Sequence, residues 1–384
     1  MSDLAMVFAA LAVLLGLARL FGSLAARLGQ PAVVGEIACG LLAGLVFVPS
    51  VAVGGVLDAI AQFGLVLFLF CIGVRLGPSL TRRDAKAASL PAFGAAVVPF
   101  LLGAVLALWL APRHAPAGTT AFVVFTAAAM AVTAFPVLAR ILAERGMLGE
   151  AAGHQALSAA ALTDVAAWTA LAVVAASLND RAPVWPLVLV VPFVLVLHGL
   201  TRPWFERWLA RQSRQTTLTV LVALASAGAA ATDAIGLHAA FGAFLTGVAV
   251  GRSVRQAELS TVVTPLGSAL APLYFVLVGQ KVDLGELDLR LLAETAAVIV
   301  VAVLGKCGGA YLGARLAGQS PPEAALFAAL MNTRGVTELV FLSIGLGFGV
   351  IDSAFYTAMV AMALVTTAMT GPLLNRLRQP NEVH

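Results

Sequence analysis

The chain has 384 residues, of which 61% are hydrophobic and 11% are charged, and its formal net charge is +4. A soluble domain carries about 25% charged residues, so this composition excludes a soluble enzyme, a nucleic-acid-binding protein and a disordered chain. The basic residues stand between apolar runs, which is typical of a membrane protein. The three cysteines lie inside apolar runs without metal-ligand spacing, which indicates neither a disulfide framework nor a zinc site.

Thirteen apolar runs approach the length that a bilayer core requires, about 20 residues per helix. The sequence therefore predicts an all-α membrane protein with thirteen transmembrane helices. We expect a single membrane domain over 1–384 with no soluble regulatory domain. The predicted spans are 4–26, 32–53, 58–76, 87–111, 119–142, 150–178, 184–201, 215–234, 236–252, 262–280, 291–316, 323–350 and 353–375.

An odd number of spans puts the two termini on opposite sides of the membrane. With the N-terminus outside, sixteen of the 23 Lys and Arg residues fall in inner loops or the C-terminus, and four fall in outer loops. Cytoplasmic loops carry the excess of Lys and Arg. We therefore predict an outer N-terminus and a cytoplasmic C-terminus.

Charged side chains inside the spans interrupt the apolar pattern. Each costs roughly 3 kcal/mol on insertion scales, and such residues tend to be functional. The first is Glu36, about one turn inside the inner end of the second span. Glu36 is a candidate for a cytoplasmic funnel that attracts cations, and the alternative is either a solvated charge or a charge that interacts with the dipole of a helix N-terminus.

The fifth span contains a helix breaker at mid-depth, in the segment Thr133-Ala134-Phe135-Pro136. Pro136 removes one backbone donor and clashes with the preceding turn. It either kinks the helix or interrupts it, and an interrupted helix exposes backbone carbonyls that can bind ions.

Asp164 lies fourteen residues into the sixth span, roughly 21 Å along the helix axis and close to the bilayer midplane. A desolvated carboxylate at this depth holds a proton or a metal cation and seldom stays bare. This is the chemistry that a cation/proton exchanger needs. The alternative is a permanent salt bridge, although no partner is adjacent in the sequence.

Lys306 in the eleventh span is the only lysine at intramembrane depth. It is therefore the natural electrostatic partner of Asp164. The alternative is a lysine that snorkels to the inner face of the membrane.

The twelfth span contains a polar segment that favours local unwinding, with Asn332, Thr333, Arg334, Gly335 and Glu338. Arg334 is a candidate to neutralise the C-terminal ends of helices. A local salt bridge with Glu338, four residues further on, is the alternative.

The two interrupted spans occupy corresponding positions. Spans 2–6 and 9–13 form two five-helix units, and the interruption falls in the fourth helix of each. An odd number of helices per unit gives the two units opposite orientations. This is the inverted repeat of secondary transporters.

Several segments, in order across nearly the whole chain, resemble the monovalent cation:proton antiporter-2 family, closest to bacterial relatives of plant cation/proton exchangers. Together these segments are highly specific, whereas each alone is weak. They are Pro31–Ile37, Thr133–Gly146, Leu162–Asp164, Ile235–Phe244, Pro272–Gly279, Gly305–Lys306 and Asn332–Leu339.

The resemblance implies the sodium/proton antiporter fold, in which two broken helices cross near the ion site. It implies a core bundle at about 87–178 and 291–375, and dimerisation or scaffold helices at about 4–76 and 184–280. Relatives are typically homodimers whose core moves in an elevator motion. A bacterial inner membrane fits this resemblance.

The resemblance also assigns individual residues. Asp164 falls on the family's ion-binding carboxylate, which would hold Na⁺ or K⁺, and Lys306 falls on the core lysine. Thr133 falls in the unwound stretch, where hydroxyl and backbone oxygens ligate the ion. Thr163 stands where relatives often carry Asn or a second Asp, a position that bears on whether transport moves net charge.

These residues lead to the hypothesis that Asp164 binds a proton and a monovalent cation in turn. Thr163, Thr133 and unwound backbone oxygens would complete the cation shell, and Lys306 would stabilise the ionised carboxylate. No cofactor and no covalent step are expected, since the only substrates are Na⁺ or K⁺ and H⁺. The broken helices would be supported by Ala134, Pro136, Asn332, Thr333, Arg334 and Glu338.

Two alternatives share this chemistry: a gated potassium efflux protein and a passive cation channel. A symporter of the related bile-acid type would bind an organic anion, which the Asp164 and Lys306 pair disfavours. An intramembrane hydrolase would need paired carboxylates or a Ser/His dyad, and the spans contain neither pattern. We therefore do not expect an enzyme.

Overall fold

The helices of the chain follow its apolar runs, because a backbone in lipid must satisfy its N–H and C=O groups within its own segment. The computed structural model describes residues 2–46, 50–76, 82–178, 202–209, 211–234, 239–251, 262–280 and 289–378, together with Leu195 and Leu197. The regular elements of these residues are α-helices and one short 3₁₀-helix, Met147–Gly149. The predicted all-α fold class is confirmed.

Fifteen helices are described. They are α1 (Asp3–Arg27), α2 (Ala32–Val46), α3 (Val51–Leu76), α4 (Arg82–His114), α5 (Thr119–Ala131), α6 (Phe135–Glu144), α7 (Ala151–Leu178), α8 (Arg202–Leu209), α9 (Arg214–Ala234), α10 (Ala239–Val250), α11 (Val263–Gln280), α12 (Leu289–Leu316), α13 (Pro321–Met331), α14 (Val336–Gly347) and α15 (Ser353–Arg378).

Twelve of the thirteen predicted spans each overlap one or two of these helices. The seventh, 184–201, lies outside the described residues apart from Leu195 and Leu197. Within the described part, eight helical segments are long and apolar enough to cross a membrane, with α5 and α6 counted together, and α2 and α10 are shorter apolar helices. The count of thirteen stays a prediction.

The fifth and twelfth spans are each divided into two helices. The first division separates α5 from α6, and Pro136 lies in the first turn of α6. Proline is well suited to the first turn, because the N–H that it lacks has no partner within the helix. Pro136 therefore begins a new helix and does not simply kink a continuous one.

The chain divides into two compact units. The first unit comprises Met1–Leu24, Gly35–Leu80 and Trp185–Lys281. Within it α3 packs against α10 and α11, and α9 packs against α10.

The second unit comprises Ala25–Val34, Thr81–Val184 and Val282–His384. Within it α4 packs against α5 and α12, α7 packs against α4 and α5, and α12 packs against α13 and α15. Glu36 belongs to the first unit, and the other predicted site residues belong to the second. The assignment of the units as scaffold and core stays a prediction.

The ends of three helices of the second unit meet at a buried histidine. His114, the last residue of α4, lies 2.8 Å through Nδ1 from Asp352 Oδ2 and 3.1 Å through Nε2 from Glu294 Oε2. Glu294 also accepts a hydrogen bond from Arg113. Each ring nitrogen of His114 therefore faces a carboxylate oxygen from a different helix end.

Candidate functional site

The two interruptions lie directly against each other in the second unit. The backbone N–H of Ala134 donates to the carbonyl oxygen of Thr333 at 3.2 Å. The chain is extended at Val132 and at Ala134, with ψ angles of 142° and 90°. The structure thus brings together the two interrupted segments, as the family resemblance implies.

The C-terminal end of α5 is closed by two buried cations, Lys306 of α12 and Arg334 of the second interruption. Arg334 donates through Nη1 to Ala129 O at 3.2 Å and through Nη2 to Met130 O at 2.6 Å. Lys306 donates to Ala131 O, the carbonyl of the last helical residue. The last carbonyls of a helix lack partners and carry partial negative charge, so these cations satisfy and neutralise them.

Lys306 is fully buried and does not reach the surface. Its ammonium group also donates to Ala95 O in α4 at 3.0 Å. The lysine therefore links α4, α5 and its own helix α12 at the interruption. It interacts electrostatically with Asp164 through space while its hydrogen bonds go to backbone carbonyls.

Arg334 and Glu338 form an ion pair at 2.9 Å, and both side chains have no exposed surface. Arg334 Nε and Glu338 Oε2 have no hydrogen-bond partner among the described residues. Breaking such a buried pair leaves an uncompensated charge at a cost of about 3–5 kcal/mol. Arg334 therefore pairs with Glu338 and also binds the C-terminal end of α5. From the sequence alone these two roles are alternatives.

Asp164 lies in α7 with 6% of its surface exposed. Its carboxylate accepts a hydrogen bond from the backbone N–H of Phe135, the first residue of α6. Oδ1 has no hydrogen-bond partner within the described part of the chain. The carboxylate is thus held at the N-terminus of α6 with one oxygen available.

Two further buried oxygens at the interruptions lack donors among the residues that the structure describes: Thr133 Oγ1 and Asn332 Oδ1. The amide nitrogen of Asn332 donates to Thr366 O at 3.2 Å, which fixes the side chain. A buried polar group without a partner costs about 1–3 kcal/mol. Carboxylate, hydroxyl and amide oxygens are the ligands that a hard cation prefers.

The two remaining threonines of the prediction bond to their own helices. Thr163 Oγ1 donates to Ala160 O at 2.9 Å, and Thr333 Oγ1 donates to Leu330 O at 2.7 Å. Each hydroxyl oxygen keeps lone pairs after this donation. In the described residues no group of three His, Cys, Asp or Glu side chains could hold a metal ion together.

Glu36 exposes 2% of its surface in α2 of the first unit. Burial excludes the interpretation of Glu36 as a solvated charge. Its role as a cytoplasmic funnel stays a prediction.

One residue of the site was missed by the sequence reading. Thr367 in α15 accepts a hydrogen bond from the backbone N–H of Arg334 at 2.9 Å and donates to the carbonyl oxygen of Arg334 at 2.5 Å. The available signal was a pair of threonines, Thr366 and Thr367, inside an apolar span. Hydroxyl side chains in membrane helices often hydrogen-bond across helices.

Comparisons with known proteins identify the family of this chain. The family model described as "Sodium/hydrogen exchanger, transmembrane" matches residues 10–377. The Na⁺/H⁺ antiporter NhaS4 of Synechocystis is 34% identical over 98% of this chain and 98% of its own length. Cation/H⁺ antiporter 17 of Arabidopsis thaliana is also 34% identical, over 85% of this chain, which spans 42% of that longer relative.

The fold matches that of a solved antiporter. The sodium proton antiporter MjNhaP1 from Methanocaldococcus jannaschii superposes with a TM-score of 0.71 at 15% identity, covering 97% of this chain and 96% of that one. At this identity the match shows the fold alone. It confirms the predicted sodium/proton antiporter fold, and the sequence comparisons confirm the resemblance that the motifs indicate. This chain is an integral membrane protein and belongs to the sodium/hydrogen exchanger family of transporters.

Proposed function

We propose that this protein is a secondary active transporter that exchanges a monovalent cation, Na⁺ or K⁺, for protons at Asp164. The observation that carries the proposal is the buried Asp164 carboxylate, which is held at an interrupted helix with Oδ1 lacking a hydrogen-bond donor among the described residues. The names of the relatives, which are Na⁺/H⁺ and cation/H⁺ antiporters, support the same reaction.

Competition for one carboxylate couples the two fluxes. A proton on Asp164 removes the charge that attracts a cation, and a bound cation repels a proton. The carboxylate therefore carries one substrate or the other, never both. The reaction makes and breaks no covalent bond other than the one to the proton, so the protein acts as a transporter without a cofactor.

The ligands of the cation are drawn from oxygens that have spare acceptor capacity. Asp164 Oδ1 and Thr133 Oγ1 lack donors within the described residues, and Thr163 Oγ1, on the residue before Asp164, keeps lone pairs after its donation to Ala160 O. Unwound backbone oxygens at the interruptions complete the shell. Lys306 stabilises ionised Asp164 when no cation is bound.

The proposal also includes the oligomeric state, the membrane and the orientation of the protein. We place the protein as a homodimer in a bacterial inner membrane, with its N-terminus outside and its C-terminus in the cytoplasm. The excess of basic residues in the predicted inner loops supports this orientation. The division of the chain into two compact units supports a core that carries the ion and a scaffold that holds it.

Replacement of Asp164 by asparagine tests the proposal. Asparagine keeps the shape but neither ionises nor exchanges a proton, so D164N should lower cation-driven proton flux in proteoliposomes to the level of empty liposomes. The measurement is the rate of luminal pH change after a cation is added against an imposed pH gradient. Asp233, which is exposed in α9, offers the matched control, and D233N should retain the wild-type rate.

Retention of cation-driven proton flux by D164N would overturn the assignment of Asp164. A passive channel would instead give currents that follow the cation gradient with no movement of protons. Comparison of Na⁺ and K⁺ in the same vesicles, with the membrane potential clamped and then free, identifies the transported ion and whether net charge moves.

A further inference from the structure

A single hydroxyl group binds both backbone groups of the arginine at the second interruption. Thr367 Oγ1 accepts from Arg334 N–H at 2.9 Å and donates to Arg334 O at 2.5 Å. Thr367 lies in α15 and is 1% exposed. The contact therefore joins α15 to the non-helical segment between α13 and α14.

The two bonds replace those that an uninterrupted helix would supply. In a continuous helix the N–H of Arg334 would donate to Leu330 O, and its carbonyl would accept from the residue four positions on. Here Leu330 O accepts instead from the N–H and the hydroxyl of Thr333, at 3.2 and 2.7 Å. A hydroxyl can donate once and accept twice, so one threonine satisfies both groups of Arg334.

The backbone at this point needs such a restraint, because the next residue is conformationally free. Gly335 has a φ of 147°, which L side chains rarely adopt. Immediately before Arg334, the carbonyl of Thr333 accepts from Ala134 at the first interruption. Arg334 lies between Thr333 and Gly335, and Thr367 of α15 binds its backbone.

The position of the Arg334 backbone decides where its guanidinium group lies. That group binds Ala129 O and Met130 O at the end of α5, three to four residues before Thr133. It also pairs with Glu338. A shift of Arg334 would therefore move the end of α5, and with it the extended segment that carries Thr133 and precedes Phe135, the hydrogen-bond donor to Asp164.

We propose that Thr367 is a positioning residue for transport, which sets the geometry of the cation site by fixing the backbone of Arg334. Thr367 makes no contact with the ion in this scheme and acts through Arg334 and the end of α5. The inference rests on the proposed exchange at Asp164. According to this inference, Thr367 contributes to the affinity of the site for the cation, although it is neutral and does not contact the ion.

The test compares variants at Thr367 with a matched control on the same helix. T367V removes the hydroxyl at nearly constant volume, and T367S keeps the hydroxyl. Thr370 is also buried, and its hydroxyl donates to Thr366 O within α15, a carbonyl oxygen that also accepts from Asn332 Nδ2. T370V therefore makes the same chemical change on the same helix without touching the backbone of Arg334.

The measurements are the apparent KM for the cation and the maximal rate of proton flux in proteoliposomes at several pH values. We expect T367V to raise KM about tenfold, as the loss of a pair of buried hydrogen bonds would. T367S and T370V should stay within about twofold of wild type, a change small against that tenfold shift. Should T367V not assemble, T367A removes the same hydroxyl with less bulk and is read in the same way.

An unchanged KM in T367V or T367A, or an equal rise in T370V, would overturn the inference. A rise in T367S as large as in T367V would also overturn it, because packing and not the hydroxyl would then be the cause. D164N measured in parallel separates the two proposals. Flux retained by D164N refutes the exchange site itself, whereas flux lost in D164N with a normal KM in T367V refutes only the role of Thr367.

Discussion

Lys306 interacts electrostatically with three other buried charged residues, Asp164, Arg334 and Glu338, and the four form one set of charges. Two are cationic and two are anionic, so the set is neutral when all four are ionised. A proton and a monovalent cation each add a single positive charge to this set. The two substrates are therefore electrostatically equivalent occupants, which is what an exchange by competition requires.

Lys306 contributes one of the two positive charges, and its removal should change the pH dependence of transport. Without a nearby ammonium group, ionised Asp164 is less stabilised and binds both a proton and a cation more tightly. We expect K306M to lower the apparent KM for the cation at the alkaline end of the pH range, where few protons compete, and to change it least at the acidic end. The measurement is cation-driven proton flux at three pH values.

The control for Lys306 is R19M, which removes a cation from an exposed position of α1. R19M should leave the pH profile unchanged. If K306M had the same pH profile and the same KM as wild type, Lys306 would serve only to close the end of α5 through Ala131 O.

Residues that were found from the sequence differ physically from those that were missed. Asp164, Lys306 and Arg334 are charged groups inside apolar spans. Because a charge within the membrane costs free energy, such residues are rare and are easily recognised in the sequence. Thr367 is neutral, and its partner Arg334 lies 33 positions away. The cluster of His114, Glu294 and Asp352 joins helix ends that are up to 238 positions apart, and periodicity contains no information on such pairs.

At the scale of the elements, the two interruptions use different residues for the same purpose. Pro136 starts α6 after an extended segment, because its fixed φ suits the first turn of a helix. Gly335 precedes α14 with a φ of 147°, which a residue with a side chain rarely adopts. A proline and a glycine in the sequence thus marked both breaks, although neither residue specifies how the two breaks meet.

The contact between α4 and α12 depends on glycine at close approach. A methyl group on Gly309 would overlap the carbonyl oxygen of Gly94 and lie 2.7 Å from Val98 Cβ, whereas one on the adjacent Gly308 meets nothing within 4 Å. We expect G309A to destabilise the protein by about 1–3 kcal/mol, the usual cost of overpacking. G308A should be neutral or slightly stabilising, because alanine favours the helix.

Thermal unfolding of the two variants in the same detergent measures this difference. An equal melting temperature for G309A and G308A would contradict the close contact of α4 with α12. Since Lys306 lies one turn before Gly309 and binds Ala95 of α4, G309A should also lower the transport rate.

Helix boundaries were predicted well where polar residues flank an apolar run and poorly elsewhere. The span predicted at 291–316 corresponds to α12 at Leu289–Leu316. In contrast α2 ends at Val46 and α3 begins at Val51, where the prediction placed the join at 53–58. The residues around this join are mostly apolar, so hydropathy does not distinguish loop from helix there.

At the scale of the molecule, both units are assembled from separate stretches of chain. The short segment Ala25–Val34 belongs to the second unit, although Met1–Leu24 and Gly35–Leu80 belong to the first. Its contacts explain this assignment. Gly29 O accepts from Arg145 Nη2 at 3.0 Å and from Asn375 Nδ2 at 3.3 Å, and Ala32 N–H donates to Glu144 Oε2 at 3.0 Å.

The inverted repeat predicts that corresponding loops of the two five-helix units face opposite sides of the membrane. The loop between the third and fourth helices contains Ala117 in the first repeat and Ala317 in the second, and both alanines are exposed. Cys39 and Cys71 are buried, so a background in which Cys307 is replaced by serine leaves no exposed thiol among the described residues. Single cysteines at Ala117 and Ala317 then form a matched pair.

We expect a membrane-impermeant maleimide to label A117C in intact cells and A317C only after the membrane is opened. The physical reason is the odd number of helices in each repeat, and the excess of basic residues in the predicted inner loops decides which face is cytoplasmic. The reverse pattern would keep the repeat and invert the orientation. Labelling of both cysteines from one side would require an even number of spans between them, which the thirteen-span topology does not allow.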